Sequence, residues 1–427
     1  MTSKPHVVII GNGWAGFTVA EKLDLNKYTI TVIAPIRTIQ YTPLLASAAA
    51  GLFDFRLAEE PVRRRTRMGL SYFKANVDDI NFDEKVVHCQ PALDKVAGNN
   101  FSGTKKHRFT VSYDKLIIAP GCVAETFGTP GALEHANFLQ TTNDARLIQQ
   151  RVLEILDAAS LPGLSDEQQR NILRIIIVGG GPIGIEAAAE LYDLWNDHMR
   201  FLYHHLDGKF SLEIHDVAPT ILGQFDEKLG EYALESIQSR GIKIVTESKI
   251  EKVDAASIHV KDLGQLKYGM LLWATGNGVN PLVKELDVKK TDKLPRILTN
   301  YQLQVLQDTK DEQTVEDVYA LGDCADIDGM SLPMLAEVAV QKAEWLAKEL
   351  NRYGQPQRKF RYRETTNLAY LGNHDGISDE KRTGHSAWLA WRSGSVWYWP
   401  RSWRRTLMIG ISWLFNFVGG RDIARKW

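Results

Sequence analysis

The sequence is poor in cysteine, and its three cysteines, Cys89, Cys122 and Cys324, lie far apart. They form no CxxC pair, so neither a dithiol redox centre nor a zinc site is predicted. The histidines show no metal-ligand spacing either, and we expect no bound metal. The net charge of −1 offers no attraction to a polyanion, which argues against a nucleic-acid partner.

Long apolar runs are also missing. No stretch reaches the roughly 18 apolar residues that a membrane-spanning helix requires. The opening residues MTSKPH lead directly into an apolar strand, so we expect neither a secretory signal nor a transit peptide. With 427 residues, 44% of them hydrophobic and 24% charged, the chain has the size and composition of two or three folded domains.

What the sequence does contain is a repeated nucleotide-binding pattern, at residues 6–23 and again at residues 172–191. Each copy has a β-branched strand, three spaced glycines and a helix-forming segment. The first glycine permits a tight turn, the second lets the backbone approach a pyrophosphate, and the third lets helix and strand pack closely. Because the helix N-terminus then faces the anion, two dinucleotide sites are predicted.

The first copy lacks one usual feature. Its next strand, TITVIAP, ends at Ala34 and Pro35, where an acid usually binds the adenosine ribose. We assign that task to Arg37 or to backbone groups. The predicted contacts of this glycine loop are Gly11, Gly13, Trp14, Ala15 and Gly16.

The second copy has the ribose acid, because the strand SLEIHD ends in Asp216. A carboxylate there can bridge both ribose hydroxyls and repel a 2′-phosphate, which favours NADH over NADPH. The alternative is a turn residue at the strand end. Segment 192–210 is interpreted as a helical insertion before this strand. The predicted loop contacts are Gly179, Gly181, Pro182, Ile183 and Gly184.

Three further strand–turn segments, 113–121, 268–276 and 315–325, follow in order. In the last of them, the Asp323 carboxylate can bond the ribityl hydroxyls of FAD, and a helix N-terminus after it can face flavin or pyrophosphate. The first glycine loop is therefore assigned to FAD. The predicted contacts in these segments are Gly121, Ala274, Thr275, Gly276, Gly322 and Asp323.

This order of motifs resembles that of flavoproteins with two dinucleotide-binding domains. Finer motifs are similar to those of the type II, or alternative, NADH:quinone oxidoreductases of the fungal and plant mitochondrial branch. They are GNGWAG (11–16), YTPLLASAAAG (41–51), FLQTTNDAR (138–146), GGGPIGIEAAAEL (179–191), WATGNGVNP (273–281), LPMLAEVAVQKAEWLA (332–347), LAYLG (368–372) and a final W-x(6)-GRD (413–422). The resemblance covers nearly the whole chain.

The resemblance implies an α/β fold with two Rossmann-like domains and a C-terminal amphipathic membrane-anchoring region. A discontinuous FAD-binding domain would comprise residues 1–140 and 282–352, with an inserted NADH-binding domain at 141–281 and the anchoring region at 353–427. It also implies a reaction in which NADH reduces FAD, and the reduced flavin reduces a membrane quinone of the ubiquinone type without proton pumping. Family members often form homodimers, and we expect one here.

The resemblance also implies roles for single residues. Glu186 is expected on the first turn of the second helix, positioning the nicotinamide; the alternative is a favourable charge at a helix N-terminus. Glu337 stands where the family usually has glutamine, and Val340 where a polar residue is common, whereas Gln341 is retained. We expect Glu337 and Gln341 to act at the flavin or quinone. The residues expected to line the flavin are Thr42, Pro43 and Leu44.

The C-terminal region has its own composition. Seven of the eleven tryptophans lie between positions 388 and 427, and residues 381–427 contain nine Lys or Arg against one acid, Asp422. The apolar stretch 406–418 is too short to span a bilayer, and it is typical of a helix lying in the membrane interface, with tryptophans at headgroup depth. The alternative is protein core or a dimer interface. The cations expected to face anionic lipid are Arg401, Arg404, Arg405 and Arg421.

Three other functions stay open at this stage. They are a soluble ferredoxin or rubredoxin reductase, a sulfide:quinone oxidoreductase and a signalling flavoprotein of the apoptosis-inducing-factor type. The second of these needs reactive thiols, for which Cys122 and Cys324 are the candidates. The leading prediction is a peripheral membrane enzyme, at the mitochondrial inner membrane or at a cytoplasmic-facing membrane surface.

Overall fold

The computed structural model describes residues 4–65, 70–93, 108–309, 313–394, 402–421 and 423. The chain forms two compact units, each built from separate stretches. Unit 1 comprises Met1–Ile39, Glu60–Val123 and Asn277–Thr365, and unit 2 comprises Gln40–Glu59, Ala124–Gly276 and Thr366–Trp427. The boundaries expected at residues 140 and 281 separate an FAD-binding domain from an NADH-binding domain. Division into compact units does not test which nucleotide each part binds, so these boundaries stay a prediction.

The strands are numbered in chain order over the described residues. The first nine are β1 (His6–Ile10), β2 (Thr29–Ala34), β3 (Thr38–Gln40), β4 (Glu59–Pro61), β5 (Leu70–Asn81), β6 (Val86–Pro91), β7 (Phe109–Ser112), β8 (Lys115–Ile118) and β9 (Val123–Ala124). The next seven are β10 (Arg174–Val178), β11 (Ser211–His215), β12 (Lys243–Val245), β13 (Ile250–Asp254), β14 (Ser257–Val260), β15 (Gly264–Lys267) and β16 (Met270–Trp273). The last seven are β17 (Asn277–Gly278), β18 (Ile297–Thr299), β19 (Gln304–Leu306), β20 (Thr314–Ala320), β21 (Ala325–Ile327), β22 (Leu368–Gly372) and β23 (Asp375–Ser378).

The α-helices of the described residues are numbered in the same way. They are α1 (Trp14–Lys22), α2 (Leu45–Ala49), α3 (Ala132–His135), α4 (Thr142–Ala159), α5 (Asp166–Ile172), α6 (Pro182–Leu194), α7 (Arg200–Leu202), α8 (Glu227–Ser239), α9 (Pro281–Glu285), α10 (Ala336–Tyr353), α11 (His385–Ser393) and α12 (Trp403–Gly419). A π-helical turn, Trp195–Met199, continues α6 into α7, so the insertion predicted at 192–210 is helical. Short 3₁₀ turns are Thr42–Leu44, Phe55–Ala58, Val62–Arg65 and His204–Leu206.

Unit 1 is built on a ten-stranded sheet in the order β21-β18-β19-β20-β8-β1-β2-β5-β6-β7. Its centre is parallel, because β1 pairs in parallel with β2 and β8, and β8 with β20. The apolar run VVII of β1 is buried on both faces, as expected for a central parallel strand. The chain leaves β1 between strands that come later on either side, so the loop after β1 lies at a topological switch point, where ligands bind in such sheets.

Unit 2 repeats this arrangement on a smaller scale. Its four-stranded sheet has the order β12-β11-β10-β16, with β10 pairing in parallel with β11 and β16. A three-stranded antiparallel sheet, β13-β14-β15, belongs to the same unit. Helix α4 begins at a capping box in which the Thr141 hydroxyl and the Asp144 carboxylate each accept a backbone N–H of the other residue, which stabilises the helix start. The loop after β10 is again at a switch point.

The C-terminal part of unit 2 consists of the β22-β23 hairpin and the helices α11 and α12. The ring of Tyr370 on β22 stacks on that of Trp391 on α11, with centroids 4.8 Å apart, and both side chains are buried. Throughout the described part of the chain, every helix is too short or too polar to cross a bilayer. The same residues contain no His, Cys, Asp and Glu cluster suited to a metal ion.

Candidate functional site

The first glycine loop joins β1 to α1. Gly11 has a left-handed φ of +93°, and a Cβ atom here would lie 2.1 Å from the carbonyl oxygen of Ala119. A Cβ atom at Gly16 would lie 2.1 Å from the carbonyl oxygen of Gly11. Gly13, the N-cap of α1, differs, since a Cβ atom there would have nothing within 4 Å. The helix start is therefore pressed against the strand ends, while the space in front of it is open.

The second glycine loop, between β10 and α6, has the same geometry. A Cβ atom at Gly179 would lie 2.3 Å from the carbonyl oxygen of Ala274, and one at Gly184 would lie 2.0 Å from that of Gly179. Gly181 is the N-cap of α6, with open space in front of it. Both predicted loops thus present peptide N–H groups of a helix N-terminus to solvent, which is the arrangement that binds a pyrophosphate.

The first turns of the two helices carry the other predicted loop residues. Ala15 is buried, and a Cβ atom at Gly322 would lie 3.3 Å from its side chain, so these two predicted contacts meet. Trp14 and Pro182 are partly buried. Ile183 is 46% exposed, which leaves an apolar surface beside the open N-terminus of α6.

At the end of β2, where the usual ribose acid is missing, two arginines lie near Tyr72. The hydroxyl of Tyr72 donates to the carbonyl oxygen of Ala34 at 2.9 Å. The Arg63 guanidinium lies 5.5 Å from the ring centroid of Tyr72 and donates to its carbonyl oxygen at 3.0 Å. Burial raises the pKa of Tyr72, and the charges of the exposed Arg37 and of Arg63 oppose this shift. The sequence pattern pointed to Arg37 at this position and not to Arg63.

Asp216 follows β11 immediately and lies beside the second loop. Its Oδ1 accepts the backbone N–H of Ala218 at 2.7 Å, and its Oδ2 accepts the backbone N–H of Gly180. These bonds hold the carboxylate at the loop, and each oxygen keeps a second lone pair for a ribose hydroxyl. Asp216 is therefore a turn residue, as the alternative reading expected, in a position that also suits the predicted ribose contact.

Segments 113–121 and 315–325 come together in unit 1. The Cys122 thiol, next to Gly121, donates to Asp323 Oδ2 at 3.3 Å. Arg296 Nε donates to the carbonyl oxygen of Asp323 at 3.0 Å. Burial raises the pKa of Asp323, and the bond from Cys122 and the charges of Arg296 and Lys342 oppose the shift. The predicted contacts Gly121, Gly322 and Asp323 thus lie in one cluster.

Lys342 on α10 is a residue of this cluster that the sequence did not reveal. Its side chain is fully buried, and within the described part of the chain its Nζ has no hydrogen-bond partner. Burial lowers its pKa to about 8, opposed chiefly by the negative charge of Asp326, which forms a 2.9 Å ion pair with Arg296. A buried donor without an acceptor calls for a polar group to satisfy it, as a dinucleotide would.

The two thiols near this cluster are unsuited to nucleophilic chemistry. Burial raises the pKa of Cys122 strongly, and it raises the pKa of Cys324 to about 12. Since the thiolate is the reactive form, neither thiol is activated at neutral pH. This finding disfavours the sulfide:quinone oxidoreductase alternative.

The WATG segment, residues 273–276, packs directly against the second glycine loop. The backbone N–H of Ala274 donates to the carbonyl oxygen of Val178 at 2.7 Å. The Thr275 hydroxyl donates to the carbonyl oxygen of Glu125 at 2.5 Å, and Gly276 has a φ of +107°. Thr275 therefore uses its hydroxyl proton within unit 2, and its hydroxyl lone pairs and backbone groups remain for a ligand.

The turn expected to line the flavin is the 3₁₀ turn Thr42–Leu44, which runs directly into α2. Leu44 is fully buried, Pro43 is partly buried and Thr42 is exposed. The turn thus offers a hydroxyl and a proline ring to the surface, while Leu44 packs inside unit 2.

Glu337 and Gln341 lie together at the start of α10. Gln341 Nε2 donates to Glu337 Oε1 and to the carbonyl oxygen of Arg363, both at 2.9 Å. The backbone N–H of Arg363 donates to Gln341 Oε1 at 3.1 Å. The amide of Gln341 is therefore occupied on both sides, and the carboxylate beside it, Glu337, is partly buried.

Glu186 is not on the first turn of α6, as predicted, because the helix begins at Pro182 and places it on the second turn. Trp391 Nε1 donates to Glu186 Oε1 at 2.9 Å. Burial raises the pKa of this carboxyl to about 8, opposed by the bonds from Trp391 and from the backbone of Tyr370. Burial therefore favours the protonated form of this carboxyl, which argues against the alternative of a charge at the helix N-terminus.

Helix α12 has one strongly apolar exposed face. Only Arg405, Thr406 and Ile409 are buried among its described side chains. Its exposed large apolar residues recur at helical spacing, so they form a continuous stripe. They are Trp403 (80% exposed), Leu407 (55%), Met408 (41%), Ile411 (44%), Leu414 (64%), Phe415 (71%), Phe417 (90%) and Val418 (80%).

Two of the four arginines expected to face lipid are turned inward instead. Arg405 is buried, and its Nη2 donates to the carbonyl oxygen of Glu59 at 2.8 Å. Arg421 Nη1 lies 3.4 Å from Glu190 Oε2. Arg404 is exposed, as predicted, and Arg401 lies outside the described residues.

The tryptophans also depart from expectation. Trp391 is buried and Trp388 and Trp413 are partly buried, whereas Trp403 is exposed. The composition identifies this segment as basic and rich in tryptophan. It does not show which of these side chains pack against the protein and which are exposed.

Comparison with known proteins places this geometry in context. Residues 5–343 match the sequence model of the pyridine nucleotide-disulphide oxidoreductase family. The internal alternative NAD(P)H-ubiquinone oxidoreductase A1 of Solanum tuberosum, a mitochondrial protein, is 32% identical over 455 residues, covering 99% of this chain and 88% of that one. A probable NADH dehydrogenase of Dictyostelium discoideum is 33% identical over 429 residues, covering 98% and 90%.

Among solved structures, NDH2 from Plasmodium falciparum in complex with RYL-552 matches with a TM-score of 0.89 at 22% identity. The match covers 99% of this chain and 100% of that one. It confirms the predicted α/β fold with two Rossmann-like domains.

The two kinds of loop glycine lead to a matched prediction. Gly13→Ala keeps an allowed backbone and meets no atom, so we expect a folded protein whose flavin content falls at least about tenfold, because the methyl group stands where the pyrophosphate approaches. Gly16→Ala forces a methyl group onto the Gly11 carbonyl and should prevent folding. Circular dichroism and flavin absorbance report the two effects. A Gly13→Ala protein with full flavin content would contradict pyrophosphate binding at the first glycine loop.

The pKa of Glu186 predicts a pH-dependent stability. Because the folded-state pKa of about 8 lies above the ordinary 4.5, the folded protein binds more protons than the unfolded chain between these values, and this group makes stability fall as pH rises through that window. Above about pH 8 its effect is constant. Urea unfolding of wild type and Glu186→Gln across this window should show a smaller fall in the variant. Equal slopes, with Glu167→Gln as an exposed control, contradict the assignment.

Proposed function

Because this chain belongs to the pyridine nucleotide-disulphide oxidoreductases, and within them to the type II or alternative NAD(P)H-ubiquinone oxidoreductases, we propose that it oxidises NADH and reduces a ubiquinone-type membrane quinone without pumping protons. The observation that carries this proposal is the 32% identity to such an oxidoreductase over 99% of the chain. The two open glycine loops give that similarity a physical basis, because the reaction needs two dinucleotides.

FAD is assigned to the loop of unit 1, in line with the predicted domain at 1–140 and 282–352. The residues present fit it. The open N-cap at Gly13 admits the pyrophosphate, the Asp323 carboxyl faces the same cluster for the ribityl hydroxyls, and Lys342 supplies a buried donor without an acceptor. Arg37 and Arg63 take the place of the ribose acid. When bound, FAD supplies the two-electron redox chemistry that side chains lack.

NADH is assigned to the loop of unit 2, within the predicted domain at 141–281. The open N-cap at Gly181 admits its pyrophosphate, and Asp216, held by two backbone N–H groups, accepts the ribose hydroxyls. We assign nicotinamide positioning to Glu186, whose carboxyl Trp391 holds in place. Correct placement of the reacting groups supplies much of the rate in such transfers.

At the acceptor side, we assign the contact with quinone or flavin to Glu337. Gln341 orients it, because the Gln341 amide is fixed between Glu337 and the Arg363 backbone. The turn Thr42–Leu44 is assigned to the flavin on the strength of the family resemblance.

The exposed stripe of α12 supports attachment to a membrane surface. An amphipathic helix of this kind lies in the interface with its apolar face among the acyl chains. We propose a peripheral membrane protein, and the mitochondrial relatives favour the mitochondrial inner membrane. The membrane side and the homodimer implied by the resemblance stay predictions.

The function is tested by steady-state oxidation of NADH by the full chain with a short-chain ubiquinone. We expect turnover in the ordinary enzyme range of roughly 1–10³ s⁻¹. In Gly181→Ala protein, whose added methyl group meets no protein atom, we expect kcat/KM for NADH to fall at least about tenfold. Oxidation of NADH that ignores quinone but reduces ferredoxin would support a soluble reductase instead.

Coenzyme choice follows from Asp216. In Asp216→Ser protein the repulsion of a 2′-phosphate is gone, so the ratio of kcat/KM for NADPH to that for NADH should rise at least about tenfold, or ~1.4 kcal/mol. The control is Glu167→Gln, an exposed acid on α5 of the same unit. An unchanged ratio, or a wild type that uses both coenzymes equally, contradicts the role of Asp216.

Membrane attachment is tested on the exposed stripe. Leu414→Ser and Phe417→Ser remove apolar surface without disturbing a buried contact, so folding should be unaffected. Each fully lipid-buried side chain is worth ~1.5–3 kcal/mol, and we expect the double variant to lose at least about tenfold in vesicle affinity. Leu161→Ser, 61% exposed elsewhere in unit 2, is the control. Equal co-sedimentation of all three proteins with vesicles would contradict this assignment.

A further inference from the structure

Glu190 is a fully buried carboxylate on α6, and its partners come from three other segments of unit 2. The Ser47 hydroxyl on α2 donates to Oε1 at 2.7 Å. Arg421 Nη1, just beyond α12, lies 3.4 Å from Oε2, and Arg392 Nη1 on α11 lies 4.0 Å from Oε1. One carboxylate therefore joins α2, α6, α11 and the chain after α12.

The end of the C-terminal motif is shaped to reach this carboxylate. Gly420 has a φ of +78°, and a Cβ atom there would lie 2.8 Å from ring atoms of His198. The following Arg421 donates to the carbonyl oxygens of Ala50 at 3.2 Å and of Glu190 at 3.3 Å, besides its ion pair. The Gly–Arg pair thus fixes the end of α12 to α2 and α6, while Asp422 lies outside the described residues.

The inner face of α12 is tied along its length to the segment that contains α2. Asn416 Nδ2 donates to the carbonyl oxygen of Leu52 at 2.8 Å. The Arg405 guanidinium lies 5.4 Å from the ring centroid of Tyr41 and donates to the carbonyl oxygen of Glu59 at 2.8 Å. The helix with the lipid-facing stripe and the segment with the turn Thr42–Leu44 are therefore held as one body, and Glu190 connects both to α6.

The charges around Glu190 are unequal. One carboxylate faces two guanidiniums, and Arg392, 4.2 Å above the ring of Trp413, has an Nη1 with no hydrogen-bond acceptor among the described residues. Removing one partner of a buried ion pair is costly because the other charge stays unpaired. Loss of Glu190 removes the ion-pair partner of both arginines, whereas loss of Arg421 leaves Glu190 paired with Arg392.

We propose that Glu190 is a positioning residue for quinone reduction, which holds α2 and α12 in the arrangement through which a lipid-borne substrate is received. This inference rests on the proposed function. A quinone arrives from the lipid that α12 faces, and the segment tied to α12 carries the turn Thr42–Leu44 that we assign to the flavin. NADH arrives from water at the loop before Pro182, two helical turns from Glu190.

The proposal predicts a split between the two half-reactions. In Glu190→Gln protein, KM for a short-chain ubiquinone should rise at least about tenfold, while the rate at which NADH bleaches the flavin absorbance without oxygen stays within about twofold of wild type. A merely structural role would lower both rates together with the flavin content.

Two further variants keep the test independent of the folding of Glu190→Gln. Arg421→Gln leaves Glu190 paired with Arg392, so it should fold and raise the quinone KM by less than Glu190→Gln does. Ser47→Ala removes only the hydrogen bond between α2 and Glu190. It should raise the quinone KM by a smaller factor than Arg421→Gln does. The control is Glu154→Gln, which removes an exposed ion pair with Arg151 on α4 and should change neither half-reaction.

Quinone KM values of Arg421→Gln and Ser47→Ala equal to that of wild type would overturn the proposal, whether or not Glu190→Gln folds. Equal loss of NADH-driven bleaching and of quinone reduction in Glu190→Gln would also overturn it. A wild-type chain that never reduces quinone contradicts the proposed function instead, and the two failures are thereby distinguished.

Discussion

A contact between backbones that leaves no room for a β-carbon sets the geometry of both units. In unit 1 the first turn of α1 lies against the carbonyl oxygen of Gly11, and Gly11 lies against that of Ala119. In unit 2 the first turn of α6 lies against Gly179, and Gly179 lies against Ala274, in the same way. Each contact places a helix N-terminus at the carboxyl end of a central parallel strand. The open N-caps, and hence both dinucleotide sites, depend on it.

Much of this arrangement could be predicted, because it is local in sequence. The glycine spacing identified both loops, and the strand after each loop showed which had a ribose acid at Asp216 and which did not at Ala34. Even here one local prediction was wrong, because Glu186 was expected on the first turn of α6 and lies on the second. The N-cap at Gly181 and Pro182 at the first helical position decide where α6 begins, and a motif does not show its own cap.

The rest could not be predicted, because it depends on partners far away in sequence. A run of arginines near the C-terminus indicates a cationic surface, yet Arg405 and Arg421 turn inward to Glu59 and Glu190. Arg63 and Lys342 show the same limit in unit 1, since burial and direction follow from packing rather than from composition. The apolar stripe of α12 was predictable because helical periodicity alone produces it.

The central claim is that electrons pass through this chain from NADH to a quinone. The most direct measurement is a single turnover without oxygen, in which the flavin absorbance of the purified full chain is followed on mixing with one equivalent of NADH and then with ubiquinone. We expect that NADH bleaches the flavin and that ubiquinone restores its absorbance at a rate compatible with steady-state turnover. Flavin that NADH bleaches and ubiquinone leaves bleached would contradict it.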